Sequence, residues 1–157
     1  SKRMPTKPLK IALTASAGGH SSQLLKLAQS WNGFDAFYVT TSDSVVKKLS
    51  DSYRVYVVGE CNHQHPVRVL RVLLRCIRIV TKEKPDVVIS TGAAAGCICC
   101  FLGKLTGARV VWIDSITNVE KLSLSGRLVR HIADLFLVQW PHLREKYKNV
   151  EFAGSVI

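Results

Sequence analysis

The chain has 157 residues, with 22 Lys and Arg against 11 Asp and Glu, giving a formal net charge of +11. This length predicts one domain of ordinary size, over 9–157 after a basic tail at 1–8, and excludes a multi-domain enzyme. With 47% hydrophobic and 21% charged residues, the composition is that of a globular fold and excludes a disordered or fibrous protein.

Hydrophobic runs alternate with helical patterns along the whole chain. Continuous runs rich in β-branched residues are typical of strands buried on both faces. They predict strands at 9–15, 34–41, 54–58, 86–91, 109–114 and 135–139. Helices are predicted at 22–30, 44–49, 67–82, 94–105 and 125–133. The alternation predicts an α/β fold, a Rossmann-like parallel sheet with helices on both faces.

The turn after the first predicted strand contains Gly18, Gly19 and His20. Ligands of such sheets lie at the carboxyl ends of the strands, where glycines let the backbone approach a ligand and helix amides can receive a phosphate. His20 could there act as a base or bind a phosphate, and the alternative is a helix-capping or surface histidine. Because the dinucleotide Gly spacing and a P-loop Lys are both missing, an NAD enzyme is disfavoured and no cofactor is expected.

The predicted helix at 67–82 carries basic residues at alternating intervals of three and four, which places them on one stripe. These residues are Arg68, Arg71, Arg75, Arg78 and Lys82. Together, the segments 1–10 and 68–84 hold nine of the eleven net positive charges. The charge is thus concentrated on one tail and one helix, and the helix also has more Leu and Val than one buried face needs. This combination favours binding to an anionic membrane surface. The alternatives are a plain solvated face or a stand-alone nucleotide or nucleic-acid binder, whose charge would usually be spread more widely.

Two further strand ends carry candidate site residues. Thr91 and Gly92 follow the fourth predicted strand and suit close approach by a polar substrate, although small side chains there also let a helix pack on the sheet. Asp114 ends the fifth strand and could orient a hydroxyl or His20, although capping the next turn is an ordinary role for Asp. Both interpretations of each position remain open.

The five cysteines, Cys61, Cys76, Cys97, Cys99 and Cys100, form an odd set without disulfide-framework spacing. A helix would point Cys99 away from Cys97 and Cys100, and no nearby His completes a metal site. We therefore expect buried thiols in a reducing compartment and no bound metal. No apolar run approaches the roughly 18 residues of a membrane-spanning helix.

Several segments resemble one known family. They are Ala15 to His20, Pro85 to Gly92, and above all Leu122 to Leu128 and Ala133 to Pro141. Their sequences are similar to those of the Alg-fourteen and PssD/EpsE oligosaccharide-biosynthesis proteins, over about residues 9–154. These proteins are similar to the N-terminal, acceptor-side half of a GT-B glycosyltransferase such as MurG, made as a separate chain.

The resemblance implies a partner of the Alg-thirteen, PssE or EpsF kind that binds most of the donor. It implies inverting, metal-independent transfer from a UDP-sugar, commonly UDP-N-acetylglucosamine, to a polyprenyl-diphosphate-linked acceptor at the cytoplasmic face of a membrane. Eukaryotic members have an N-terminal transmembrane anchor, so we expect either a prokaryotic-type member or a shortened chain. By position, Gly18, Gly19, Thr91, Gly92 and Asp114 would line the acceptor cleft. There His20 would deprotonate the acceptor hydroxyl or contact its diphosphate, and a scaffold without a chemical role is the alternative.

Overall fold

The structure is a computed structural model that describes residues 8–15, 34–41, 54–59, 64–114 and 118–152. The predicted helices at 22–30 and 44–49 and nearly all of the basic tail lie outside these residues. Among the described helices, none combines the length and the apolar character that crossing a bilayer requires.

In the described part of the chain, seven parallel strands form one sheet. They are β1 (Lys10–Ala15), β2 (Asp35–Thr40), β3 (Arg54–Val57), β4 (Val87–Ser90), β5 (Arg109–Ile113), β6 (Leu135–Val138) and β7 (Glu151–Phe152). The sheet order is β3-β2-β1-β4-β5-β6-β7. The six predicted strands and the Rossmann-like class are confirmed, whereas β7 was not predicted, because two residues carry no readable alternation.

Four helices lie in the described part of the chain. They are α1 (Pro66–Glu83), α2 (Ala93–Leu105), α3 (Leu124–Val129) and α4 (Pro141–Lys146). The helix predicted at 125–133 ends earlier, at Val129, and turns follow it. Helix α4 is not predicted from the sequence, because a proline directly after a strand fits a loop as well as a helix. In the structure Pro141 occupies the first turn of α4, where its missing N–H costs nothing.

Helix α2 packs against α1, α3 and the sheet through its cysteines. The thiol of Cys99 donates to Cys76 of α1 across 3.6 Å. Cys97 lies beside Ser125 of α3, and Cys100 lies beside Ser90 of β4. All four of these described cysteines are free and buried, which confirms the expectation of packing thiols. Burial raises the pKa of the Cys100 thiol, so this group stays protonated at neutral pH.

Asp134 holds the start of β6 against β5. Its Oδ2 accepts a hydrogen bond from Val110 N at 2.7 Å, and Lys104 Nζ lies 3.1 Å from both carboxylate oxygens. The Val110 bond, with the Lys104 pair, lowers the pKa of Asp134. Because the folded state favours the ionised form, this stabilisation is present above the ordinary Asp pKa of about 3.9 and is lost as the pH falls through the lower folded value.

We therefore expect Asp134→Asn to lower the free energy of unfolding at pH 7, by less than about 1 kcal/mol because the carboxylate is largely exposed to solvent. The difference from the parent chain should shrink as the pH falls below about 4. Urea unfolding of both chains between pH 7 and pH values below about 4 measures this difference in the free energy of unfolding. Glu145→Gln, at an exposed position, is the control. A difference that grows in acid would contradict the assignment.

Candidate functional site

The sheet changes its direction of growth between β1 and β4. From β1 the strands continue through β2 and β3 on one side, and from β4 through β5 to β7 on the other. In open parallel sheets such a switch point opens a crevice at the carboxyl ends of the strands, where ligands bind. Here Thr14 lies opposite Ser90 in the register, and Thr91 N donates to Thr14 O at 3.1 Å. The predicted turn residues Thr91 and Gly92 are thus placed beside the end of β1.

The residues Gly18, Gly19 and His20 lie outside the described part of the structure. Strand β1 ends at Ala15, three positions before Gly18. Their cleft and catalytic roles therefore stay predictions from the sequence.

The start of α2 has an unusual backbone conformation. Gly92 has φ 141° and Ala93 has φ 69°. An alanine in the left-handed region is strained, and such strain persists where the surrounding structure over-determines it, often at ligand sites. Beside it, Thr91 is only 4% exposed, and its Oγ1 has no hydrogen-bond partner among the described residues. A helix N-terminus next to an unused buried hydroxyl is suited to an anionic or hydroxylated ligand.

Gly96 lets α2 approach this edge closely. A Cβ at Gly96 would lie 2.2 Å from Ser90 Oγ and 2.9 Å from Thr14 Oγ1, so only glycine fits. Ser90 Oγ also accepts a hydrogen bond from Gly92 N at 3.3 Å. Ser90 and Gly96 therefore have the packing role that was one interpretation of this turn. The Thr91 hydroxyl, which no described residue bonds, is available for the other interpretation, contact with a polar substrate.

Asp114 is buried at the end of β5 and organises the neighbouring segment. Its Oδ1 accepts hydrogen bonds from Trp112 Nε1 at 3.1 Å and Ser123 Oγ at 3.0 Å, and its Oδ2 accepts one from Asn118 Nδ2 at 3.1 Å. The side chain is thus used to tie the segment from Asn118 to Ser123 onto the sheet. These contacts support the turn-organising alternative for Asp114, and its substrate role stays a prediction.

Ser123 and Gly126 complete this network. Ser123 Oγ also accepts from Gly126 N at 3.0 Å and so caps α3. A Cβ at Gly126 would lie 2.7 Å from Asp114 Oδ1, which explains why a glycine stands there. The Ser123 cap could have been predicted from a serine directly before a helix. The contact between Gly126 and Asp114 joins distant strand and helix ends, and no local pattern indicates it.

The segment is also fixed from the side of α4. His142 Nε2 contacts the Val119 carbonyl, and Lys146 Nζ donates to Glu120 O at 3.0 Å. The segment overlaps Leu122 to Leu128, one of the stretches that carry the resemblance. It is held to β5 by Asp114 and to α4 by these contacts.

Helix α1 presents its five predicted membrane-binding residues to solvent, since all five are exposed. The same helix also exposes large apolar side chains: Val67 at 72%, Leu70 at 55%, Leu74 at 53% and Ile77 at 37%. At 100° per residue, these apolar positions form a stripe beside the basic one, opposite the buried Val72 and Cys76. An exposed face that is half apolar and half basic is typical of a helix that lies on a membrane surface.

A cavity of about 640 Å³ lies elsewhere, beside the beginning of β6 and β7, with Asp134, Phe136 and Glu151 in its lining. The start of β6 is at the amino end of a parallel strand, so this cavity does not belong to the crevice at the carboxyl ends.

Comparison with known proteins assigns the family. The family model described as "Oligosaccharide biosynthesis protein Alg14 like" matches residues 11–156, nearly the whole chain. The chain belongs to this Alg14-like family. The resemblance identified from the sequence segments is thereby confirmed.

Curated relatives of this Alg14-like chain carry a uniform description. The mouse protein, 28% identical and matched over 98% of this chain and 85% of its own length, is named "UDP-N-acetylglucosamine transferase subunit ALG14". The human protein of the same name is 26% identical over the same shares. A Schizosaccharomyces pombe relative, also of that name, is 39% identical over 46% of this chain and 37% of its own length.

Solved structures show the fold of the Alg14-like chain. MurG from Acinetobacter baumannii superposes with a TM-score of 0.74 at 13% identity, over 94% of this chain and 46% of MurG. A Methanocaldococcus jannaschii UDP-GlcNAc 2-epimerase, solved with UDP-GlcNAc and UDP, superposes with a TM-score of 0.69 at 15% identity, over 94% of this chain and 47% of the epimerase. The chain therefore spans about half the length of these proteins, and the likeness is one of fold.

Proposed function

We propose that this chain is one subunit of a UDP-N-acetylglucosamine transferase that acts on a polyprenyl-diphosphate-linked acceptor at the cytoplasmic face of a membrane. The observation that carries the proposal is the family match over 11–156, together with relatives named as transferase subunits. In this proposal, residues 9–157 form the acceptor-side domain, and transfer is inverting and requires no metal, as the resemblance implies.

The proposal includes a partner that binds most of the donor. The fold matches about half of MurG, and the curated relatives, which this chain covers to 85%, are themselves called subunits. A separate chain of the Alg-thirteen, PssE or EpsF kind would supply the other half of the active site. Isothermal titration tests this division: UDP-N-acetylglucosamine should bind the complex and not this chain alone. Equal binding by the isolated chain would contradict it.

The acceptor would lie in the crevice between β1 and β4. We propose that backbone N–H groups of Gly18, Gly19 and the first residues of α2 after Gly92 donate hydrogen bonds to its diphosphate, and that Thr91 Oγ1 donates one to a phosphate or sugar oxygen. His20 would take the proton from the acceptor hydroxyl or contact the diphosphate. Asp114 would keep the crevice wall in place through its contacts with Asn118 and Ser123.

The exposed face of α1 would hold the chain at the membrane. Basic side chains near an anionic bilayer contribute about 1 kcal/mol each, and the stripe of Val67, Leu70, Leu74 and Ile77 adds apolar contact. Such an interaction is reversible, so the tail residues Lys2, Arg3, Lys7 and Lys10 would provide a second contact.

Charge reversal on α1 tests this membrane contact. We expect Arg71→Glu to weaken binding to anionic vesicles about 30-fold, because it changes the local charge by two, at about 1 kcal/mol each. Vesicle sedimentation measures the affinity. Lys148→Glu, at an exposed position in the turn after α4, makes the same change in net charge and should have little effect. Equal losses in the two variants would show that net charge alone matters and that α1 has no special role.

A scaffold without a chemical role is the second candidate, favoured by one observation: both oxygens of Asp114 are already used within the fold. In that case the chain would hold its partner at the membrane, and replacing His20 would leave transfer unchanged.

A further inference from the structure

A second cavity, of about 300 Å³, lies between β3 and the C-terminal half of α1. Three of the six residues that line it are basic, and none is acidic. The lining consists of Tyr56, Val57, Arg75, Arg78, Ile79 and Lys82. We call it the β3 pocket. Its composition, three cations around an apolar floor of Val57 and Ile79, indicates a site for an anion.

Two of the three cations are held in place by the fold. Arg75 Nη1 donates to Val58 O at 3.2 Å, and Lys82 Nζ lies 5.9 Å from the centre of the Tyr56 ring. Arg78 has no ion pair or hydrogen bond from its side chain within the described part of the chain. No described residue therefore occupies its guanidinium, which is suited to a ligand because such planar forks bind phosphate oxygens in pairs.

The one acidic residue of α1 does not neutralise this pocket. Glu83 is 8% exposed, and its Oε2 accepts from Arg54 Nη2 at 2.9 Å and Arg54 Nε at 3.1 Å. Arg54 also pairs with Asp35 at 3.0 Å. Since these acids are committed to Arg54, the three pocket cations have no counter-charge among the lining residues.

The position of the β3 pocket separates it from the acceptor crevice. Among the described strands β3 is the last on its side, and β2 lies between it and β1. All lining residues of the pocket belong to β3 and α1, and none belongs to β1, β4 or α2, which border the crevice. On the helix surface, Arg78 borders the exposed apolar stripe of α1, so a ligand in the pocket has hydrocarbon-binding surface next to it.

We propose that the β3 pocket binds the phosphomonoester headgroup of a bilayer lipid, distinct from the acceptor, and so fixes the orientation of α1 on the membrane. A phosphomonoester carries about −1.5 to −2 charges at pH 7 and matches three cations better than a singly charged phosphodiester does. This inference rests on the proposed membrane contact of α1 and adds headgroup selectivity to it.

The test compares vesicles of equal surface charge that contain either phosphatidic acid, a monoester, or phosphatidylglycerol, a diester. We expect the full chain to bind the phosphatidic acid vesicles about tenfold more tightly, since charge-assisted hydrogen bonds to phosphate are made in the pocket. Equal binding to both kinds of vesicle would contradict headgroup binding in the β3 pocket, while the proposed membrane contact of α1 would still stand. Binding to neither would overturn both proposals.

Two double variants on the exposed side of α1 provide matched controls, because each removes two positive charges from the same helix. Arg78→Ala with Lys82→Ala should abolish the preference for phosphatidic acid. Arg68→Ala with Arg71→Ala should weaken binding to both vesicles and keep the preference. Loss of the preference in both pairs, or in neither, would contradict the assignment.

A soluble ligand is separated from a lipid by competition. Glycerol 3-phosphate and inorganic phosphate carry the same chemistry without the acyl chains, and we expect them to displace phosphatidic acid vesicles only at millimolar concentrations. Displacement at micromolar concentrations would show that the pocket serves a soluble phosphate and would overturn the lipid assignment.

Discussion

Asp114→Ala is expected to lower the free energy of unfolding by about 2–4 kcal/mol, because it leaves three donors without their acceptor. These donors are Trp112 Nε1, Ser123 Oγ and Asn118 Nδ2. Asp114 is 1% exposed and Trp112 is fully buried, so water cannot easily replace the lost bonds. Urea unfolding of the parent and variant chains measures the difference.

Two further variants calibrate this result. Ser123→Ala removes one donor and the α3 cap together and should cost about 1–2 kcal/mol, less than the loss of Asp114. Glu145→Ala, at an exposed position on α4, should change stability by less than about 0.5 kcal/mol. If Asp114→Ala cost no more than Glu145→Ala, Asp114 would not organise this edge, and its substrate role would become the better explanation.

His20→Ala is expected to reduce transfer by the reconstituted pair about 10²–10⁴-fold, the usual contribution of a positioned general base. The chain and its donor-binding partner should still co-purify, since the change removes a proton acceptor and not an interface. Steady-state transfer at saturating donor, measured over a range of acceptor concentrations, separates a loss in kcat from a loss in acceptor affinity. A loss confined to acceptor KM would assign His20 to diphosphate binding.

His131→Ala is the matched control for this variant. His131 is exposed in the turn after α3, so transfer should be unchanged. If His20→Ala also leaves transfer unchanged while the complex persists, the chain is a scaffold, and the catalytic role of His20 is wrong.

Most of the fold could be predicted because the signals were local. The strands of a buried parallel sheet are continuous apolar runs, and the periodicity of α1 is visible in its basic residues alone. The early end of α3 at Val129 and the short elements α4 and β7 could not be predicted, because tertiary contacts and not periodicity define them. Pro141 in particular fits both the end of a strand and the first turn of a helix.

The sequence predicted the location of the candidate site, at the carboxyl ends of the strands, better than the contacts of its side chains. The rule for parallel sheets identified the turns after β4 and β5, and Thr91 and Gly92 indeed lie beside the end of β1. The structural role of Asp114 depends on hydrogen-bond donors four and nine positions further along the chain, at Asn118 and Ser123. No spacing in the sequence indicates that these residues fold back onto the end of β5. The β3 pocket likewise needs the packing of α1 on an edge strand, so the sequence showed only a basic stripe.

The most direct measurement of the central claim is transfer of labelled N-acetylglucosamine from UDP-N-acetylglucosamine to a polyprenyl-diphosphate-linked acceptor in membranes. Three preparations are compared: this chain alone, the donor-binding subunit alone, and the two co-expressed. We expect product only in the third, together with a complex that co-purifies. Absence of both a complex and transfer with any UDP-sugar tried, or full transfer by this chain alone, would contradict it.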